Sequence, residues 1–183
     1  MADPFNLRGA LLVDSGAMAD REIEQLLVSI DQAFDRRSWH GTNLRGSLRG
    51  VTAREAAWRP APGRHNVWEL AVHAAYWKYT VRRRMLGEPK GSFPLPGSDF
   101  FPRPDPPGAE PDERAWKADV ALLVATHKSL RAAISSLRAR DLSTIPRGSR
   151  VSNLGMIVGV AAHDLYHAGQ IQLLKRLRES AGG

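Results

Sequence analysis

Apolar residues recur at helical spacing along most of this chain and predict four long helices. The predicted helices cover about residues 20–35, 66–86, 113–138 and 153–178. In each of them, apolar side chains stand three and four positions apart, so that they share one helix face. The third helix shows a regular seam formed by Trp116, Val120, Leu123, His127, Leu130, Ile134 and Leu137. Because no strand-like alternation stands out, the pattern predicts an all-α fold, a four-helix bundle.

A shorter helical stretch precedes the second long helix. Residues 43–50 predict a short extra N-terminal helix, and Thr52 and Glu55 stand at the spacing of a capping box, which marks a further helix start. The length of the chain suits one domain. We therefore expect residues 1–183 to form a single domain, with residues 1–19 as an N-terminal extension.

The fourth helix has its own start signal and two glycines. Ser152 is a suitable N-cap, and Gly155 and Gly159, four residues apart, permit the close approach of a neighbour. A membrane-spanning role for this glycine pair is excluded because the same segment carries His163 and His167.

Residues 88–112 differ in composition from the rest of the chain. They hold eight of the twelve prolines, three glycines, and the aromatic residues Phe93, Phe100 and Phe101. So many prolines exclude a helix or a central strand. The segment is therefore a long Pro-rich crossover loop. It is either an ordered cover pinned by its aromatic residues, which then form a lid or a self-packed surface loop, or a disordered connection.

Composition and charge narrow the classes of function. There is no cysteine, which excludes disulfides, thiolate metal sites and a protein-borne thiol nucleophile. The net charge of +7 comes mostly from scattered arginines, so a solvated basic surface is favoured over a nucleic-acid partner. No apolar run is long enough to span a membrane, and the N-terminus shows no secretory signal. We therefore expect a cytoplasmic protein without a membrane partner.

Two histidines four residues apart are the main chemical signal. His163 and His167 lie in the segment HDLYH, and on a helix they are separated by about 40° and about 6 Å. Their imidazoles can therefore converge on one ion. Apolar residues on the same stripe, such as Val160 and Ile171, indicate that the pair points into the bundle. Two buried imidazoles are costly unless they are hydrogen-bonded or bound to a metal.

A third ligand has to come from another helix. His73, on the inward side of the second helix, is the best-placed residue and would complete an open three-histidine site. His127 competes with it because it also lies on an inward seam. His40 and His65 lie near a helix break and a helix start, where capping or surface roles are favoured. A metalloprotease is not favoured, because Asp164 stands where that motif requires a glutamate.

Other side chains near these histidines are expected to complete a pocket. Gln170 shares the helix face of His167 and either reaches a metal-bound molecule or bonds to another helix. Tyr76 and Trp77 flank His73 and either wall the pocket or pack in the core. No carboxylate is clearly placed as a general base, so no catalytic residue is assigned.

Four segments of the chain together resemble the DinB/YfiT-like superfamily. They read WHG at residues 39–41, AWRPAPG at 57–63, VWELAVHAAYW at 67–77 and HDLYHAGQI at 163–171. The resemblance implies a four-helix bundle in which three histidines hold a divalent metal, usually zinc or nickel. Carried over by position, these ligands are His73, His163 and His167. A homodimer is also implied.

The resemblance leaves the reaction open. The superfamily includes isomerases and S-transferases that use low-molecular-weight thiols, proteins proposed to be hydrolases, and members without known activity. We expect a metal-dependent S-transferase that acts on a small-molecule substrate with a thiol cosubstrate, since the chain has no thiol of its own. The alternatives are a metal-dependent hydrolase and a non-catalytic metal- or ligand-binding bundle. Imidazole ligands suit both zinc and nickel.

Overall fold

The computed structural model describes residues 15–181, with side chains from residue 21 onward. Its helices are α1 (Ser15–Phe34), α2 (Leu44–Ser47), α3 (Ala53–Ala57), α4 (Val67–Met85), α5 (Glu113–Ser135) and α6 (Asn153–Ala181), with a 3-10 turn at Ala139–Asp141. No strand occurs within the described range. The predicted all-α bundle is therefore confirmed. Its long helices α1, α4, α5 and α6 begin and end within a few residues of the predicted bounds.

Side-chain caps explain where the helices begin. At α3 the Thr52 hydroxyl accepts from the Glu55 amide, and the Glu55 carboxylate accepts from the Thr52 amide, so the predicted capping box is present. Asn66 and Glu69 form a second capping box at the start of α4. Ser152 accepts from the Gly155 amide at 3.2 Å at the start of α6. Each cap satisfies amides that have no partner within the helix.

The directions of the long helices follow from their contacts. Trp68, in the first turn of α4, donates to Asp119 near the start of α5, so α4 and α5 run parallel. On α6, the partners of His73 and Lys78 are His163 and Asp164, and the core contacts place the end of α4 beside the start of α6. Helix α6 is therefore antiparallel to α4. Parallel consecutive helices need a connection that returns along the bundle, and residues 86–112 supply it.

This Pro-rich crossover is an ordered cover. Arg103 is buried and anchors it: its amide donates to Glu69, its guanidinium donates to Asp119 at 2.6 Å, and its carbonyl accepts from Asn66 at 2.8 Å. Phe101 is buried as well and packs against Tyr76 of α4. Of the two states that composition leaves open, the structure shows the ordered one.

A layer of polar side chains divides the apolar core in two. The layer contains the ion pair of Lys78 and Asp164, both almost fully buried. Lys78 Nζ lies 4.9 Å from the centre of the Phe34 ring, and that ring stacks on His127 at 3.8 Å. One apolar cluster lies on each side of the layer. The first includes Ala71 and Leu123, and the second includes Leu130 and Ile157. All four long helices contribute to this layer.

His127 makes the stability of the fold sensitive to acid. Burial, with the nearby charges of Lys78 and Arg131, lowers the pKa of His127 from 6.5 to about 3. Below pH 6.5 His127 is protonated in the unfolded chain but stays neutral in the folded chain. The free energy of unfolding therefore falls as the pH falls. Between pH 7 and pH 4.5 this one group is expected to remove about 2–3 kcal/mol.

His127→Leu tests this expectation. The variant should be close to wild type at pH 7 and more stable than wild type at pH 4.5, as measured by urea unfolding. His40→Leu is the control, because His40 is exposed. Parallel pH profiles of wild type and His127→Leu would contradict the assignment.

The helices also bear on membrane insertion. Within residues 15–181, no helix combines the length and the apolar character that crossing a bilayer requires.

Candidate metal centre

Three imidazoles meet between α4 and α6. The Nε2 atom of His163 lies 3.1 Å from Nε2 of His73 and 2.9 Å from Nε2 of His167. One ligand atom from each ring fits within 4.8 Å of the other two. His73 and His167 are buried, whereas His163 is partly accessible. The structure thus brings together the three histidines that the sequence analysis singled out.

Hydrogen bonds on the far side of two rings fix their tautomers. His73 Nδ1 lies 2.9 Å from the carbonyl oxygen of Asp99, and His167 Nδ1 lies 2.6 Å from Oε1 of Gln170. Both oxygens only accept, so both Nδ1 atoms carry the proton. In a neutral ring the Nε2 atom is then unprotonated and presents its lone pair to the other imidazoles.

The environment keeps the three rings neutral. Burial lowers the pKa of His73, although its contacts with Asp99 oppose this shift. Burial lowers the pKa of His163 to about 3, and its two neighbouring imidazoles add to the effect. The pKa of His167 falls to about 4, mainly through burial. Neutral imidazole is the form that binds metal ions.

The three neutral histidines have too few N–H groups to provide every ring nitrogen of the cluster with a hydrogen-bond partner. The lone pairs of His73 and His167 both point at His163, which in its neutral form carries one N–H and can donate to only one of them. Its Nδ1 is also buried, with no hydrogen-bond partner among the described residues. A cation at the meeting point would interact favourably with all three Nε2 atoms.

The spacing of the nitrogens fits a small divalent ion. Zinc bound by imidazoles at 2.0–2.1 Å in tetrahedral geometry separates the ligand nitrogens by about 3.3 Å. The observed separations of 3.1 and 2.9 Å are a few tenths of an ångström shorter. Small side-chain adjustments would therefore admit the ion. The donor set of three neutral nitrogens suits zinc and nickel alike.

The crossover forms one wall of the centre. The Phe100 ring is sandwiched between His73 at 3.9 Å and His65 at 3.7 Å. Asp99 bonds to His73 through its carbonyl and accepts from Trp77 Nε1 at 2.9 Å through its carboxylate. Trp77 in turn lies against both His73 and His163. These contacts hold the His73 ring from behind and from one face.

The pocket residues expected from the sequence divide into two groups. Trp77 walls the centre, whereas Tyr76 packs against Phe93 and Phe101 beneath the crossover. Gln170 bonds to His167 on its own helix, which differs from both expected roles. The two residues are three apart, so the amide of Gln170 lies within reach of the Nδ1 atom one turn away. It therefore orients a prospective ligand.

The other three histidines and Asp164 lie outside the cluster of His73, His163 and His167. His127 belongs to the polar layer, where its Nε2 is 3.5 Å from Asp31. His40 is exposed, as expected. His65 is half-exposed at the start of α4 but lies closer to the centre than expected, because Phe100 links it to His73. Asp164 points into the core toward Lys78, so it is not available as the base of a protease motif.

Asp99 and Phe100 are the site residues that sequence reasoning missed as specific contacts of His73. Phe100 was expected only as part of a lid or a self-packed loop, and Asp99 was not considered. Both lie on the irregular crossover, where no helical or strand period places a side chain. The one local signal was the position of Asp99 before two phenylalanines, directly after Gly97 and Ser98 in the Pro-rich segment.

Fold and site together define a class: a helical bundle with a buried cluster of three histidines that is suited to a divalent metal. The chain belongs to the DinB superfamily, since the family model of that name matches residues 36–171.

A solved structure supports the fold. A crystal structure described as the conserved protein of locus from Enterococcus faecalis superposes with a TM-score of 0.52. It is 15% identical in sequence, and the match covers 89% of this chain and 96% of that one. No curated protein matches this chain.

Proposed function

We propose that His73, His163 and His167 hold one divalent metal ion, zinc or nickel, and that the protein uses it as a thiol-dependent S-transferase. The convergence of three Nε2 atoms, with the Nδ1 atoms of His73 and His167 already bonded elsewhere, carries the metal proposal. A metal ion bound by three neutral ligands keeps its full charge and lowers the pKa of a bound thiol or water.

The placement of carboxylates favours a thiol over water as the nucleophile. Asp99 lies behind His73, on the side of the ring opposite Nε2, and Asp164 is directed at Lys78. Among the described residues, neither of these neighbouring carboxylates is placed to take a proton from a water molecule at the cluster. A thiol is far more acidic than water, so a metal-bound thiol gives its anion over a wider range of pH than metal-bound water does when no protein base assists.

The accessible side of the cluster lies at His163. His73 and His167 are buried, and Phe100 and Trp77 cover His73. We infer that the thiol and its electrophilic partner approach from the His163 side. The aromatic walls would exclude water from the reacting sulfur atom and thereby strengthen its interaction with the cation.

A direct assay tests the reaction class. The zinc-loaded protein is mixed with N-acetylcysteine and 1-chloro-2,4-dinitrobenzene; the C–S bond forms, the C–Cl bond breaks, chloride leaves and the thiol proton passes to buffer. We expect protein-dependent turnover that requires the thiol and stops on chelation. His163→Ala should lack it, whereas His127→Leu should retain it.

The alternatives predict different results in the same experiment. Thiol-independent cleavage of 4-nitrophenyl acetate that stops on chelation would replace the transferase with a hydrolase. If the metal only raises the melting temperature and a broad panel of thiols and electrophiles gives no turnover, the transferase proposal is wrong and the metal has a structural or binding role.

A further inference from the structure

Four arginines gather around one open cavity near the C-terminal end of α1. The cavity has a volume of about 840 Å³, and its walls come from the segment that follows α1, from the region of α2 and from Val120 of α5. Arg36 and Arg37 line it on the first of these walls, and Arg45 and Arg49 line it on the second. The volume lies within the range of about 300–1,000 Å³ that is typical of sites for small molecules.

The protein does not balance the positive charge of this cavity. Asp35 is the one carboxylate among the lining residues, and it lies 4.0 Å from Arg36. Within residues 21–181, the side chains of Arg37, Arg45 and Arg49 form no ion pair and no hydrogen bond. Like charges held around one space repel each other, so the arrangement favours an anionic ligand.

Asn43 holds the two arginine-bearing walls together. It is buried, and its Nδ2 atom donates to the carbonyl oxygen of Arg36 at 2.8 Å while its Oδ1 atom accepts from the Gly46 amide at 2.8 Å. A Cβ atom at position 46 would lie 2.8 Å from this Oδ1, so glycine leaves room for the amide of Asn43. The walls are therefore fixed before a ligand binds, which lowers the entropic cost of binding.

The type and number of these cationic groups favour a polyphosphate chain. The planar guanidinium of arginine presents paired N–H donors that match the oxygens of a phosphate group. Four guanidinium groups on two walls can neutralise several negative charges that lie close together. A single carboxylate does not carry that many charges, whereas a chain of phosphate groups does.

An exposed tryptophan stands at the edge of the cavity. Trp39 is 95% exposed and lies between Ser38 and Gly41, which both line the cavity. The Ser38 hydroxyl donates to the carbonyl oxygen of Gly41 at 3.3 Å and thereby closes the turn that carries Trp39. Single exposed apolar side chains are common. An aromatic ring beside a group of arginines, however, is the combination that binds nucleotides, because the base stacks on the ring.

We propose that this cavity binds a nucleoside polyphosphate. The phosphate chain lies among Arg37, Arg45 and Arg49, and the base stacks on the indole of Trp39. No residue that lines the cavity belongs to α4 or α6, the helices that carry the three histidines. The inference therefore depends neither on the proposed metal nor on the proposed reaction.

Isothermal titration calorimetry of the full chain, equilibrated with zinc, against MgATP tests the site. Arg45→Gln combined with Arg49→Gln removes two of the cations and should lower the affinity about tenfold or more. Arg147→Gln combined with Arg150→Gln is the matched control, because these exposed arginines lie between α5 and α6 and the net charge falls equally. The control should bind MgATP within about twofold of wild type. Both double variants should keep the melting temperature of wild type.

Two further variants separate the parts of the ligand and the two sites. Trp39→Leu should weaken the binding of MgATP but leave the binding of inorganic tripolyphosphate unchanged, because tripolyphosphate has no base to stack. His163→Ala should bind MgATP as wild type does, since the cavity is separate from the three histidines.

Five results would overturn the proposal. A wild type that does not bind MgATP excludes the site. Equal weakening in the two double variants would indicate attraction to the basic surface in general. Equal affinities for tripolyphosphate and MgATP, unchanged by Trp39→Leu, would exclude recognition of a nucleoside. Binding of oligothymidylate without binding of MgATP would make the cavity part of a nucleic-acid interface. Loss of MgATP binding in His163→Ala would place the ligand at the metal centre.

Discussion

Replacing His163 with alanine is expected to abolish stoichiometric metal binding. His163 lies between His73 and His167 and supplies the nitrogen that both of them approach. Removal of the central ligand leaves two donors on different helices, which do not hold zinc against a chelator. The measurement is the metal content of protein equilibrated with zinc in the presence of a competing chelator, with calorimetry for the affinity.

A graded result is expected across the neighbouring residues. Gln170→Ala removes the acceptor that fixes the tautomer of His167, and loss of such a partner lowers metal affinity about 10–100-fold while full occupancy is still reached at saturation. His127→Leu, in the polar layer, should bind metal as wild type does. Full metal occupancy in His163→Ala would refute the three-histidine site.

The periodic parts of the molecule are the parts that sequence could predict. Apolar spacing places the four long helices because burial of a helix face requires it, whatever the partner is. The same apolar spacing predicted that His73, His163 and His167 face the interior of the bundle. Their meeting needed more than periodicity, since the level of α4 relative to α6 depends on contacts between helices. The family resemblance supplied that relation.

The contacts made by the crossover could not be predicted. Proline fixes the local backbone but gives no rule for which side chain faces the protein. Arg103 decides where the segment lies, through bonds to Glu69 and Asp119 on two different helices. These long-range bonds place Asp99 and Phe100 against His73. Sequence alone does not encode them in a readable local pattern.

The polar layer shows a second limit of sequence reasoning. Asp164 was weighed only as a substitute for the glutamate of a protease motif, yet it lies one residue beyond His163 and therefore points to a different side of the helix. The sequence does not distinguish Lys78 as a buried residue, because it is one of several basic residues in a helix that ends in a run of arginines. Only the packing of α4 against α6 pairs the two residues in the core.

Breaking the ion pair of Lys78 and Asp164 is expected to lower the free energy of unfolding more than any other single substitution in the polar layer or on the helix surfaces. Lys78→Met leaves Asp164 as a buried carboxylate without its cation, and loss of one partner of a buried ion pair costs about 3–5 kcal/mol. The second oxygen of Asp164 already lacks a hydrogen-bond partner among the described residues, so nothing there compensates. Urea unfolding at pH 8 measures the loss, with exposed Lys128→Met as the control.

The pH dependence and a double variant separate charge from packing. Burial raises the pKa of Asp164 to about 6, and Lys78 opposes that rise. Without Lys78 the pKa rises further, so the carboxyl is protonated in mild acid, and the destabilisation of Lys78→Met should be smaller at pH 6 than at pH 8. Lys78→Met combined with Asp164→Leu removes both charges and should recover most of the loss. A destabilisation that is independent of pH and persists in the double variant would instead assign the role of Lys78 to its apolar stem against Phe34.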